Sequence, residues 1–109
     1  MLEYSKHRCP LTGVAEPALL RASHIVPWAE CDDDAHRLDV YNGLLLSALW
    51  DAAFDAGKVS FSGEGDPLFH AELGETESNL LRAHAAPRLV GLMPKHLPNL
   101  ARHRQRAGH

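Results

Sequence analysis

The segment from Asn42 to Gly57, which reads NGLLLSALWDAAFDAG, decides the fold expected for this chain. Its apolar run Leu44–Leu46 is typical of a short buried strand. Ser47 is a residue type that caps helix N-termini, and Gly57 is a type that follows the last helical turn. The segment therefore predicts a strand that leads directly into a helix ending near Asp55.

The predicted helix has an apolar side and an acidic side. We expect Leu49, Ala53 and Phe54 to face the core. Asp51 and Asp55 are four residues apart, so they lie together on another face of the helix. Such a pair has two interpretations, a solvated helix surface or two oxygen ligands for a divalent cation.

A second strand is predicted upstream, over about Leu19–Val26, where it stops before a proline. A polar, acidic loop at Glu30–Asp39 then separates the two strands. If the strands pair as a hairpin, His24 at the end of the first strand faces the helix that carries both carboxylates. Asn42 immediately precedes the second strand.

A histidine opposite two carboxylates is what hydrolysis of a phosphodiester requires. Histidine is the usual general base at neutral pH, and carboxylates are hard oxygen ligands for a cation that stabilises the leaving oxygen. Each residue alone has a structural interpretation. His24 is compatible with a structural histidine and Asn42 with a turn residue before glycine, while Trp28 and Phe54 are expected in the core.

The length of 109 residues fits one compact domain, and the net charge is −3. The charge is unevenly distributed. Residues 1–77 contain all 14 acidic residues and five basic ones, whereas residues 78–109 contain six basic residues and no acid. Arg102, Arg104 and Arg106 in this basic part are predicted to contact DNA phosphates, and the alternative is a solvated basic tail.

The two cysteines, Cys9 and Cys31, form no zinc-finger spacing, so we expect reduced thiols, with one disulfide left open. The N-terminal residues show no charged segment followed by an apolar run, so we expect no secretory leader. No apolar run reaches the ~20 residues that a membrane-spanning helix needs. These features predict a cytoplasmic protein.

Downstream of Gly57 the sequence predicts two further strands, Val59–Phe61 and Leu68–Ala71. A helix is expected around Thr76–Ala85, capped by Thr76, and a last basic helix at roughly Asn99–Arg106. The prediction is thus an α+β fold with a core at about residues 19–57, additional short strands, and a basic C-terminal helical part at about 76–109.

Three motifs together resemble the HNH endonuclease family. They are Ser23-His24-Ile25-Val26-Pro27-Trp28, Asn42-Gly43-Leu44-Leu45-Leu46-Ser47 and Asp51-Ala52-Ala53-Phe54-Asp55-Ala56-Gly57. They look most like the branch found in bacterial restriction-type nucleases. Cys9-Pro10-Leu11-Thr12-Gly13 and His103-Arg104 also look like that branch, so the resemblance covers about Tyr4 to Arg104.

The resemblance implies a ββα-metal fold, also called a His-Me finger, and a role for each residue. His24 would be the general base that deprotonates the attacking water, and Asn42 would hold the loop and orient His24. Asp51 stands where the family name has its final histidine, a metal ligand, and Asp55 stands where a second ligand often sits. Ser23 departs from the acidic or histidine ligand common at its position. The family usually leaves 5′-phosphate and 3′-hydroxyl ends.

A ligand set of oxygen atoms alone favours Mg²⁺ or Mn²⁺ over Zn²⁺ or Ni²⁺. The leading hypothesis is therefore a metal-dependent DNA endonuclease, the cleavage module of a restriction or defence system, served by a separate recognition domain or subunit. A homodimer is compatible with the sequence. The second hypothesis is a catalytically silent DNA-binding module of the same fold. The third is a structural domain in which Cys9, Cys31 and nearby histidines hold a metal.

Overall fold

The computed structural model describes residues 9, 11–13, 15–83, 85 and 88–109. Tyr4 and Pro10, which belong to the resemblance, lie outside these residues. The described strands and α-helices are β1 (Leu20–His24), α1 (Asp34–Leu38), β2 (Gly43–Ser47), α2 (Ala48–Asp55), β3 (Val59–Phe61), β4 (Pro67–Phe69), α3 (Glu75–Ala83) and α4 (Leu97–Ala107). This mixture of strands and helices agrees with the expected α+β class.

The strands form two antiparallel pairs. In the first pair Leu20 lies opposite Ser47 and His24 lies opposite Gly43. In the second pair Val59 lies opposite Phe69. Because α2 begins at the residue after β2 and packs against β1, the first pair and α2 form one unit. The strand and helix predicted from the Asn42–Gly57 segment are both present.

The side of α2 that faces the core agrees with the expectation for Phe54 and Ala53 but not for Leu49. Trp50 is 1% exposed and Phe54 is fully buried, and both pack on the ring of Phe61 with centroid distances of 6.0 and 5.6 Å. Leu49 is 51% exposed, so the prediction that it faces the core is wrong. Truncating a buried Phe or Trp to Ala typically costs about 3–5 kcal/mol, so these two rings set the rotation of α2.

The two ends of α2 follow the sequence closely. Ser47 is the N-cap residue, although its side chain makes no capping hydrogen bond. At the other end, Gly57 has a φ of +76°, a conformation that only glycine adopts without strain. The Gly57 N–H donates to the carbonyl of Phe54 at 3.1 Å, which closes the last turn.

The later elements differ from prediction at their ends. Helix α3 begins at Glu75, and its first turn is closed by the N–H of Ser78 donating to the carbonyl of Gly74, so Thr76 is inside the helix and not its cap. Helix α4 begins at Leu97 because a proline is tolerated in the first turn of a helix. Strand β4 is shorter and starts one residue earlier than expected.

Helix α4 buries one side, formed by Asn99, Leu100 and His103, and packs against β3. Helix α4 also contacts α2, because the ring of His103 stacks on Phe54. Among the described residues, every helix is too short or too polar to cross a lipid bilayer.

Candidate active site

The β1–β2 pair places His24 beside Asn42. His24 is the last residue of β1, and its partner Gly43 directly follows Asn42. The N–H of Ile25 donates to the carbonyl of Asn42 at 2.9 Å, which continues the pairing one residue beyond the strand. Pairing with β2 thus fixes the backbone before His24, and the bond from Ile25 to Asn42 fixes the backbone after it.

The side-chain amide of Asn42 fixes the chain just after His24. Its Oδ1 accepts a hydrogen bond from the N–H of Val26 at 2.7 Å, and its Nδ2 donates to the carbonyl of Val26 at 3.1 Å. The same Nδ2 donates to Sγ of Cys31 at 3.3 Å. Asn42 is fully buried, so these bonds satisfy its amide where water does not reach.

His24 differs from two other histidines of the fold in its use of the imidazole nitrogens. His103 and His36 each engage both ring nitrogens with protein partners. The His24 side chain is exposed and makes no hydrogen bond or ion pair with any residue that the structure describes. Its ring contact is edge-to-face with Trp28, at a centroid distance of 5.8 Å. Both nitrogens of His24 are therefore available to a substrate or water.

The two carboxylates of α2 are also unengaged. Asp51 is half-buried and Asp55 is exposed, and neither forms a hydrogen bond or ion pair with a described residue. Side chains at this spacing have Cβ atoms about 5–6 Å apart, close enough to share one cation. The predicted pairing on one face of α2 is therefore compatible with a two-carboxylate site.

The donor set fits a divalent cation that relies on its substrate. Across the described residues, no group of three or more His, Cys, Asp or Glu side chains is gathered closely enough to hold a metal. Mg²⁺ is commonly held by one or two carboxylates together with water and substrate phosphates, so two carboxylates suffice. A structural metal site of Cys9, Cys31 and nearby histidines does not form among these residues, and both thiols are free.

Ser23 directly precedes His24 on β1 and is a further polar residue near the candidate base. Its side chain is 3% exposed, and its Oγ has no hydrogen-bond partner among the described residues. A buried hydroxyl left unsatisfied costs about 1–3 kcal/mol. A bound ligand or water would satisfy it, so Ser23 is a candidate for a further oxygen ligand.

The three predicted phosphate-binding arginines lie on α4 and all have internal partners. Arg102 Nη1 lies 3.1 Å from a carboxylate oxygen of Asp32, and Arg106 Nε lies 2.6 Å from one of Glu30. Arg104 donates to the carbonyl of Phe61 at 2.7 Å. Arg102 and Arg106 thus bind the loop that follows His24.

Three residues of this region were not predicted from sequence. Cys31 completes the hydrogen bonding of Asn42 across 11 residues, a contact with no local signal. Trp28 was expected in the core, but it is 53% exposed. His103 was expected only through the resemblance, although its position three residues after Leu100 places it on the buried stripe of α4.

His103 joins α4 to the helix that carries the carboxylates. Its ring stacks on Phe54 at a centroid distance of 3.8 Å, and its Nε2 donates to the Phe54 carbonyl at 2.8 Å. Because Nε2 carries the hydrogen, Nδ1 accepts from the hydroxyl of Ser60 at 2.7 Å. Burial lowers the pKa of His103 below the usual value, so the neutral ring is the favoured form.

Part of the chain matches a family model. Residues 9–62 match the family model described as HNH endonuclease, and these are 54 of the 109 residues. The matched range includes His24, Asn42, Asp51 and Asp55, whereas α3 and α4 lie beyond it. The match supports assignment of this segment to the HNH family, with the nuclease or DNA-binding function that the family name implies.

A search of curated proteins gives a relative of a different description. The oxygen-independent coproporphyrinogen III oxidase of Cereibacter sphaeroides is 33% identical over 72 residues, which are 65% of this chain. The aligned segment is 16% of that protein, so this chain spans about one sixth of the relative's length. The oxidase activity is that of the relative and is not assigned to this chain.

Proposed function

We propose that this chain, whose residues 9–62 match the HNH endonuclease family, is a metal-dependent nuclease module that hydrolyses phosphodiester bonds in DNA. In this proposal the β1–β2 pair and α2 form a ββα-metal core. The restriction-type resemblance of its motifs is the ground for placing it in a restriction or defence system.

The observation that carries the proposal is the state of His24. A structural histidine is expected to have its ring nitrogens satisfied, as His36 and His103 do. His24 is exposed and unengaged within the described residues, while pairing with β2 fixes the backbone before it and Asn42 fixes the backbone after it. A rigid mount and a free imidazole are what a general base requires, because the ring must accept a proton from water.

In the proposed reaction His24 takes the proton of the attacking water, and Asn42 acts as a positioning residue through Val26. Asp51 and Asp55 would hold Mg²⁺ or Mn²⁺, with the Ser23 hydroxyl as a further candidate ligand. When bound, the cation supplies positive charge at the phosphate and at the leaving 3′ oxygen. The expected products carry 5′-phosphate and 3′-hydroxyl ends.

For DNA binding we propose that Arg102, Arg104 and Arg106 contact phosphates through the N–H groups left over from their internal bonds. A guanidinium carries five N–H donors, and the bonds to Asp32, Phe61 and Glu30 use only some of them. Because a domain of this size offers little surface for reading bases, sequence specificity would come from a separate recognition domain or subunit.

The second candidate function is a silent DNA-binding module of the same fold. It is favoured by one observation, that the described residues gather only two carboxylates and no third metal-ligating His, Cys, Asp or Glu side chain. The two candidates differ in a single property, which is hydrolysis in the presence of a divalent cation.

A plasmid-nicking assay with Mg²⁺ or Mn²⁺ separates them. We expect the wild-type protein to nick, and His24→Ala and Asp51→Asn to lose nicking while still binding DNA. Loss of a general base typically lowers the rate about 10²–10⁴-fold. A matched histidine control is His70→Ala, since His70 follows β4 and lies outside the β1–β2 pair. It should nick at the wild-type rate.

Each other outcome has a defined meaning. Unchanged nicking by His24→Ala would exclude His24 as the base. Wild-type protein that binds DNA but never nicks would support the silent module. Cleavage with Zn²⁺ but with neither Mg²⁺ nor Mn²⁺ would contradict the proposed ligand set.

A further inference from the structure

Trp28 occupies a position that the core does not explain. The chain has two tryptophans; Trp50 is 1% exposed, while Trp28 is 53% exposed on the short 3-10 turn Trp28–Glu30. An indole is among the largest apolar side chains. Leaving half of its surface in water gives up much of the hydrophobic stabilisation that full burial would provide. Exposed aromatic residues of this kind are typical of binding surfaces.

The indole is held in place although it is exposed. The carbonyl of Trp28 accepts a hydrogen bond from Arg37 Nε at 3.0 Å. The same guanidinium lies 5.6 Å from the centre of the indole ring, within the range of a cation–π contact. Arg37 is itself fixed by Asp34 at 2.7 Å. A ring fixed in this way loses little conformational entropy when it binds a ligand.

The position of the ring relates it to the proposed reaction. Its plane is perpendicular to that of His24, at a centroid distance of 5.8 Å. A phosphodiester that reaches the His24 imidazole brings its own flanking sugars and bases within a few ångströms. The indole is close enough to His24 to be reached by one of those nucleotides.

The charges around Trp28 permit a polyanion to approach. The neighbouring loop is rich in acids, yet each of three carboxylates is paired with an arginine: Glu30 with Arg106, Asp32 with Arg102, and Asp34 with Arg37. The two remaining acids of the loop accept backbone N–H groups: Asp33 from His36 and Asp39 from Tyr41. Arginines therefore balance three of the five negative charges of the loop beside Trp28.

We propose that Trp28 is a substrate-binding residue that packs against the nucleotide next to the scissile phosphate. The inference rests on the proposed function for its substrate class, but it concerns binding and not hydrolysis. Aromatic rings contribute to DNA binding by packing on the face of a base or on the apolar side of deoxyribose, without reading the sequence.

Tryptophan fluorescence tests this directly, because one of the two indoles is buried and the other is exposed. The wild-type protein is titrated with short DNA strands and duplexes in EDTA, so that no cleavage occurs. We expect saturating DNA to quench the exposed component and to protect it from iodide. Trp28→Phe should remove this response and keep most of the affinity, since a smaller ring still packs on DNA.

Affinity gives the second readout. Trp28→Ala should weaken DNA binding about 5- to 150-fold, the range measured for loss of one aromatic–base contact. The matched control is Leu80→Ala, which removes an exposed apolar side chain of α3 and should leave the affinity unchanged. Abasic sites placed on either side of the binding position distinguish the two parts of the nucleotide. A weaker complex indicates packing on a base, and an unchanged one indicates packing on the sugar.

The outcomes that overturn the inference differ from those that overturn nuclease activity. Saturating DNA that leaves the Trp28 signal unchanged, or Trp28→Ala with wild-type affinity, would show that the indole does not contact DNA and would leave a protein partner as its occupant. Failure to bind DNA at all would contradict both proposals. Quenching by DNA in a protein that never nicks would leave this inference standing and remove the nuclease.

Discussion

Asn42 binds both backbone polar groups of Val26 with its side-chain amide, at 2.7 and 3.1 Å. The side-chain amide thus makes the two hydrogen bonds that a paired residue of a neighbouring strand would make. It extends the β1–β2 pairing to Val26, beyond the last backbone-to-backbone bond. Because Val26 is two residues after His24, the amide fixes the direction in which the chain leaves the candidate base. Asn42 thereby links the geometry of the loop to the proposed chemistry.

Asn42→Asp should destabilise the fold and slow nicking. The substitution keeps the acceptor to the Val26 N–H but places an oxygen against the carbonyl of Val26 and Sγ of Cys31, where Nδ2 had donated. Leaving such buried groups unsatisfied costs about 1–3 kcal/mol. Urea unfolding measures the loss, and kcat for nicking should fall more than KM rises, since the base is misplaced and not the DNA.

The control for this substitution is Asn79→Asp, the same chemical change on the exposed surface of α3. It should leave the free energy of unfolding within about 0.5 kcal/mol of wild type. An Asn42→Asp protein as stable and as active as this control would show that the amide of Asn42 does not hold the loop.

The local signals in the sequence sufficed for β2 and for both ends of α2. The run Leu44–Leu46 and the glycine at position 57 are local features that the tertiary structure left unchanged. The rotation of α2 was predicted only in part. Phe54 was expected in the core and lies there, whereas Leu49 is exposed and Trp50 is buried. Trp50 and Phe54 both pack on Phe61, a residue of a later strand that the α2 sequence does not reveal.

In the candidate site, too, some features follow from local sequence and others depend on tertiary contacts. Asp51 and Asp55 share a face because helical spacing alone requires it. The contact between Asn42 and Cys31, and the exposure of Trp28, depend on how the loop folds back. A 3-10 turn of three residues has no periodicity that distinguishes an inward from an outward ring, so Trp28 could not be placed from sequence.

Arg106 provides a test of how α4 assists DNA binding. It is bonded to Glu30 at 2.6 Å, so it can act by contacting a phosphate or merely by neutralising this carboxylate. We expect Arg106→Gln to weaken binding and to reduce the salt dependence, the slope of log K against log [salt], by about 0.9, as for loss of one phosphate contact. Affinities measured between 50 and 200 mM salt give this slope.

The double variant Arg106→Gln/Glu30→Gln separates the two roles. If Arg106 contacts a phosphate, removing the Glu30 charge as well leaves the slope reduced. Recovery of the wild-type slope and affinity in the double variant would mean that Arg106 only neutralises Glu30, and the predicted phosphate contact would be wrong.

Removal of either α2 carboxylate should weaken cation binding. With two protein ligands, Mn²⁺ should bind weakly to the protein alone and more tightly when DNA supplies phosphate oxygens. Asp51→Asn and Asp55→Asn should each lower the Mn²⁺ affinity of the DNA complex about tenfold or more, since even outer ligands are worth 10- to 100-fold. Calorimetric titration of Mn²⁺ with a phosphorothioate-protected DNA measures this.

Glu64→Gln is the matched acid for that experiment, because Glu64 is an exposed residue of the turn between β3 and β4. Its Mn²⁺ affinity should equal that of wild type. Equal affinities for all three variants would show that the cation is held elsewhere, whatever the nicking rates are.

His103 should limit the stability of the fold in acid. Burial lowers the pKa of His103 in the folded protein, so below the unfolded value near 6.5 the unfolded chain binds more protons than the folded one. The free energy of unfolding should therefore fall as the pH drops below about 6.5, and go on falling until the folded ring also protonates. His96, whose pKa is also lowered by burial, adds to the same effect.

His103→Phe keeps a ring against Phe54 but removes the titrating group, so it should lower stability at pH 8 and flatten the decline below pH 6.5. One proton corresponds to a slope of at most about 1.4 kcal/mol per pH unit, which urea unfolding at several pH values resolves. Ser60→Ala is the control, because it removes the hydroxyl bonded to Nδ1 and leaves the imidazole in place. Its unfolding free energy should be lower than that of wild type at pH 8, and its decline with acid should persist because the buried imidazole still titrates. A wild-type decline in His103→Phe would assign the acid sensitivity to other groups, with His96 the first to examine.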